Sequence, residues 1–175
     1  MRFILVLMVI PFFLQAEERV EVKNGLLKVD LSSKEIQRYK NSRSAPTPLQ
    51  KRVSVVAMPV YMPKEFIKNR DITIVADKNF YTISIPLKGA LLMISGDRTY
   101  QQKVISGGEK LEKMMKLTDS KFMISEGIMG VDFQRHGVNY SLSVECDDPY
   151  GDSRCTKKSF LKKIYNDLIL VGGDL

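Results

Sequence analysis

The sequence predicts an α+β fold: a mostly antiparallel sheet of about six strands, two helices packed on one face, and one disulfide. Three observations lead there. Short β-branched or alternating runs, separated by turn residues, recur from Val53 onward; helical spacing is confined to two places, around Leu111 to Met115 and around Phe160 to Leu168; and the only cysteines, Cys146 and Cys155, bracket a single polar loop. A chain of 175 residues with 44% hydrophobic content is the size of one domain and can fill a core.

The chain begins MRFILVLMVIPFFLQAEE, one positive charge at Arg2 ahead of an apolar run that ends before two glutamates. That is the layout of a secretory signal peptide, with cleavage expected after Ala16. Residues 1–16 are therefore expected to be a leader, 17–52 an N-terminal arm and linker, and 53–175 the α+β domain. Nothing after Glu17 is long and apolar enough for a membrane-spanning helix, so the processed chain is expected not to be an integral membrane protein. The expected compartment is the periplasm, or the medium if the chain is secreted.

In the arm, two short extended pieces flank Asn24-Gly25, and Ser32 with Glu35 forms an S-x-x-E capping box for a short helix. Asn41 to Arg52 is polar, contains two prolines and has no period, which reads as a linker. VSVVAMPVYMP, Val53 to Pro63, reads as an edge strand interrupted by Pro59. DITIVAD is a short strand, and FYTISIPLKGALLMISG is two strands turned at Lys88-Gly89, with Tyr81, Ile83 and Ile85 on the core side.

Ser106 and Glu109 form a second capping box, with Leu111, Met114 and Met115 at helical spacing behind it, so a helix is expected from Gly107 to Leu117. KFMISEG, IMGVDFQ and VNYSLSVEC are three more strands, the last two joined through Arg135-His136-Gly137. Val138, Tyr140, Leu142 and Val144 alternate with polar residues, the mark of a sheet with one buried and one wet face. A final helix from Lys157 to Asp167 carries the stripe Phe160, Leu161, Ile164, Tyr165 and Leu168, and LILVGG ends the chain as an extended segment.

Two cysteines in an exported chain are expected to pair, so Cys146–Cys155 is read as a structural disulfide. A redox pair prefers closer spacing than the eight residues between them, although Arg154 beside Cys155 would favour a thiolate. Glu145, Asp147, Asp148 and Asp152 lack the alternating ligand spacing and distal glutamate of a calcium loop, and they suit turns and helix starts instead. The single histidine, His136, sits in a predicted turn, which speaks against ordinary zinc sites and Cys-His dyads.

No nucleophile elbow, phosphate loop or dinucleotide fingerprint is present. Met58 and Met62 read as core filler rather than copper ligands, and Glu126, Asp132 and Glu145 as outward strand residues rather than paired catalytic acids. The expectation is accordingly a non-enzymatic protein with no cofactor.

The formal charge is +7, or about +6 once Arg2 is removed with the leader, which favours anionic partners. Export and the lack of arginines interleaved with aromatics speak against nucleic acid. Lys157, Lys158, Lys162 and Lys163 on the last helix are the candidate contact with an anionic partner. The expected function is an exported binding or scaffold module for a bacterial envelope assembly, of secretion, motor or pilus type, or for an anionic envelope polymer or lipid. The arm and the Val53 to Pro63 segment are candidates for docking by strand addition. The alternative is a periplasmic carrier of a small apolar ligand or lipid, held between sheet and helices near Met93, Met114 and Met115.

Overall fold

The computed structural model describes residues 22–23, 25–42, 47–99 and 122–175. In chain order the described elements are β1 (Val22–Lys23), β2 (Leu26–Leu27), α1 (Lys34–Asn41), α2 (Pro48–Arg52), β3 (Val60–Pro63), a 3-10 turn (Lys64–Phe66), β4 (Thr73–Ala76), β5 (Phe80–Leu87), β6 (Ala90–Asp97), β7 (Phe122–Ser125), β8 (Ile128–Arg135), β9 (Val138–Cys146), α3 (Ser153–Thr156), α4 (Lys158–Asn166) and β10 (Leu168–Gly172). The expected leader, residues 1–16, and the expected helix Gly107 to Leu117 lie outside the described residues.

The predicted sheet is present: six strands in the order β4-β5-β6-β9-β8-β7, every neighbouring pair antiparallel, with β6 beside β9 rather than beside the next strand in sequence. Period-two alternation places Tyr81, Ile83, Ile85, Leu92, Ile94, Val131, Leu142 and Val144 on one face, where all are buried. The opposite face carries Thr82, Ser84, Met93, Ser95, Ser141 and Ser143 in register across the three central strands.

A second layer covers the buried face. It contains a two-stranded antiparallel ribbon of β3 and β10, together with α1, α2 and α4. All four residues of β3 are buried, and Ile36 of α1 and Leu161 and Ile164 of α4 complete the core. The edge of β3 that does not face β10 meets the sheet through two phenols. Tyr61 N–H donates to Tyr81 Oη at 3.0 Å, and Tyr140 Oη donates to the Pro59 carbonyl at 2.9 Å. Gly96 makes room for them, since a Cβ there would lie 2.5 Å from Tyr81 Cε1 and 3.0 Å from Tyr140 Cε1.

Several local expectations are revised. The first helix is capped by Ser33, whose side chain accepts from Ile36 N–H, because Ser32 instead bonds Asp30 through both its N–H and its hydroxyl. Pro48–Arg52, read as linker, is a helical turn with a Thr47/Gln50 capping box and proline in its first turn. Its Gln50 side chain donates to Tyr39 Oη, and Tyr39 Oη donates to the Val171 carbonyl, so the arm is fastened to β10. Only Val60–Pro63 of the Val53 to Pro63 run is a strand, buried and paired with β10, so it offers no open edge for strand addition. The last helix, expected from Lys157 to Asp167, is α4 (Lys158–Asn166), and a short helical turn that was not expected, α3, precedes it.

The Cys146–Cys155 disulfide is formed, with Cα atoms 6.2 Å apart and a sequence separation of 9. It ties the end of β9 to α3. Closing a loop of that size stabilises the fold by about 2 to 3 kcal/mol on the chain-entropy model. Reduction should therefore lower the unfolding free energy in urea by that amount, read as a fall in the midpoint with little change in slope. Equal midpoints for the oxidised and reduced protein would show that the bridge adds nothing.

Candidate functional site

The four lysines nominated from the sequence are all exposed, but they do not form one ridge. With α4 seated on Leu161 and Ile164, the helical period sends Lys158 and Lys162 to the flank of Tyr165, at i, i+4 and i+7, and Lys163 to the flank of Phe160. Lys163 Nζ pairs with Glu65 Oε2 of the 3-10 turn at 3.1 Å. Lys157, Lys158 and Lys162 have no ion-pair partner among the described residues. Lys157 caps α4 and Lys158 opens it, with no acid in the first turn and no side-chain cap.

The segment that carries Glu65 was not nominated from the sequence. It also holds Lys64, Lys68 and Arg70, and the Lys64 N–H donates to the Asp167 carbonyl at 3.1 Å, which sets this basic connection beside the end of α4. Sequence separation hid the juxtaposition, because Glu65 and Lys163 are 98 positions apart along the chain.

The structure also gathers ionisable groups at the β8–β9 hairpin tip. His136 and Gly137 form the turn with φ of 54° and 75°, as a two-residue hairpin requires. His136 does more than turn the chain. Its Nε2 lies 2.8 Å from Tyr61 Oη and 3.2 Å from Glu35 Oε2, while Tyr61 Oη donates to Glu35 Oε2 at 3.0 Å. The phenol proton is directed at the Glu35 carboxylate, and His136 Nε2 lies within hydrogen-bond distance of both oxygens. The histidine carbonyl also accepts from Asp30 N–H at 3.0 Å. The cluster thus clasps α1 and its approach to β3 and the hairpin. Tyr61 is fully buried.

Arg135 adjoins this clasp on the core side of β8. Its guanidinium carbon stands 4.7 Å from the Tyr61 ring centre, 5.5 Å from Phe133 and 5.9 Å from Tyr165. Tyr165 packs edge-on to Phe133 at 4.9 Å and to Phe122 at 6.1 Å, so one aromatic row joins the hairpin tip to α4.

The acidic loop is committed to structure. Asp148 accepts from Gly151 N–H, and Asp152 caps α3 and pairs with Arg154, whose hydrogen bonds hold that carboxyl below the usual range. Arg154 also donates to the Lys88 carbonyl at 2.9 Å. Among the described residues no three or more His, Cys, Asp or Glu side chains could hold a metal ion together. Met58 and Met62 are fully buried in the core, and Asp132 and Glu145 stand exposed on strands, as the sequence suggested. Glu126 lies in the β7–β8 turn with φ of 53°.

Burial is the largest influence on the phenols of Tyr61, Tyr81 and Tyr140 and pushes all three above the ordinary value near 10. The folded state holds these protons at a pH where the unfolded chain releases them. Their stabilising contribution is complete below about pH 10 and falls as pH rises past it, by up to about 1.4 kcal/mol per pH unit for each phenol. Alkaline titration should show tyrosinate absorbance rising together with cooperative unfolding, and Tyr140→Phe should make the pH dependence above 10 shallower. Gradual ionisation with the fold intact would contradict the burial argument.

No protein-family model matches the chain, and neither a curated protein nor a solved structure does. Among the described residues no helix is long and apolar enough to cross a membrane.

Proposed function

We propose that this chain is an exported, non-enzymatic binding module of the bacterial envelope, acting in the periplasm or outside the cell. Through the basic surface of α4 it associates with an acidic component of a secretion, motor or pilus-type assembly, or with an anionic envelope polymer or lipid. The observation that carries this reading is the placement of Lys157 and Lys158. A helix start favours acids and disfavours cations, yet two exposed lysines stand there without an ion-pair partner among the described residues. Charge set against the helix dipole is explained better by an external anion than by the stability of α4.

The carrier alternative draws no support from the same geometry. Among the described residues Tyr61, Tyr81, Tyr140, Leu142 and Ile164 pack between sheet and helices, and Met93 lies on the opposite face, paired in register with Ser84 and Ser143; Met114 and Met115 lie outside the described residues. The disulfide is compatible with an oxidising compartment.

The deciding experiment is recovery of envelope components on the tagged, processed protein from gently solubilised membranes, with protein and lipid both identified. A stoichiometric acidic partner should be retained at low salt and lost in the Lys157→Glu/Lys158→Glu double variant, with recovery falling about tenfold while the circular dichroism spectrum is unchanged. Recovery that ignores both salt and charge reversal, or of bound lipid alone by both proteins, would overturn the reading.

A further inference from the structure

The two faces of the six-stranded sheet differ in charge as well as in burial. On the open face β4 to β9 present three carboxylates, Asp97, Asp132 and Glu145, and among the described residues no lysine or arginine, in a chain whose formal charge is +7. Register sets Met93, Ser143, Gly130 and Met123 side by side across β6, β9, β8 and β7. A Cβ on Gly130 would meet nothing nearer than 3.9 Å, and Met123 is 58% exposed. Two small residues therefore floor a trough between two methionines that stand three strand spacings apart, about 14 Å. A helix with its side chains is about 10 to 12 Å across and fits that width.

The chain itself supplies an occupant. Residues 100–121 join β6 to β7 and lie outside the described residues. Their two anchors stand at the same end of the sheet and flank the β8–β9 hairpin, since Asp97 pairs with Asn139 and Phe122 with Val131. On the core side of that end the way is taken by the N-terminal arm. Leu27 N–H donates to the Arg98 carbonyl at 2.7 Å, Asp30 N–H donates to the His136 carbonyl at 3.0 Å, and a Cβ on Gly137 would run into the Lys28 carbonyl. The open face is the side left to the connection.

Charge and length both match. The connection carries five lysines, Lys103, Lys110, Lys113, Lys116 and Lys121, against Glu109, Glu112 and Asp119, so its excess charge is opposite to that of the face. Helical spacing gathers Leu111, Met114 and Met115 on one stripe and sends Lys113 to the far side. The expected helix from Gly107 to Leu117 is about 16 Å long, shorter than the strands of about 26 Å beneath it. Residues 100–106 and 118–121 reach about 23 Å and 13 Å when extended, enough to bring that helix over the trough from both anchors.

We propose that the open face is the docking surface for the chain's own connection between β6 and β7. The stripe of Leu111, Met114 and Met115 packs into the trough between Met93 and Met123, over Ser143 and Gly130, and the lysines of the connection offset Asp97, Asp132 and Glu145. This docking uses none of the α4 lysines and stands or falls apart from the anionic partner.

Cross-linking of the full chain tests the contact. A short bismaleimide linker reacts with free thiols, and the native cysteines are both in the disulfide. With Ser143→Cys and Met114→Cys together it should join the two positions within one chain, roughly fivefold faster than with Ser143→Cys and Lys113→Cys. Adding Asp132→Lys should slow the reaction, and adding Lys158→Gln should not. In the chain without added cysteines, the triple change Leu111→Gln, Met114→Gln and Met115→Gln should lower the urea midpoint by roughly 1 M. Equal reaction of the two cysteine pairs, or an unchanged midpoint, would overturn the docking. Products joined between chains, at a yield that rises with protein concentration, would give the face to a second copy and overturn it as well.

Discussion

Two phenol hydroxyls hold the architecture together. A strand laid across the buried face of a sheet has a backbone edge that neither water nor the sheet ladder can satisfy, and an unpaired peptide group there costs about 1 to 3 kcal/mol. The strand β3 is fully buried and has β10 on one side only. Tyr81 and Tyr140 rise from the sheet below and supply the missing acceptor and donor, at Tyr61 N and the Pro59 carbonyl. A leucine at either position would fill the same space and leave a peptide group orphaned. Gly96 follows from this arrangement, because both rings lie where its side chain would be.

The same device organises the polar cluster. Tyr61 presents its N–H to the sheet and its hydroxyl to Glu35 and His136, so one residue links both layers and the N-terminal helix. Arg135 then finds three aromatic faces already in place. A cation in this position is stabilised by ring quadrupoles as well as by its side-chain hydrogen bond to Tyr61. The aromatic row thus has two effects: it packs the hairpin tip against α4, and it sets the orientation of a charge at the surface.

Legibility in the sequence followed the range of the interactions concerned. Strands β5, β6, β8 and β9 were readable because their alternation is local and one face is buried along their whole length. The Val53 to Pro63 run misled because uniformly apolar residues look alike in a turn and in a strand; Val53 and Val56 are buried at the turn after α2 without joining any sheet. The Thr47-Pro48-Leu49-Gln50 signature of α2 was present, but five residues are too few to show a period. The exposure of the lysines on α4 was readable from helical spacing, whereas their division into a paired and an unpaired flank depended on Glu65, far away in the chain. The clasp was beyond sequence reasoning, since its residues are 26, 75 and 101 positions apart.

The β8–β9 hairpin is the element to which both ends of the chain are referred. At its tip His136 receives Glu35 and Asp30 from the N-terminal side, and at its open end Cys146 is covalently tied to Cys155, just ahead of α4. Arg135 is therefore fixed by the tip, and Lys158 stands only three residues beyond the staple. Groups carried on a strand end and on a packed helix keep their relative positions better than groups on surface loops do. The disulfide at one end of the hairpin and the aromatic row at the other seat α4 on β8 and β9 at two points, so the helix is held by the core along its length.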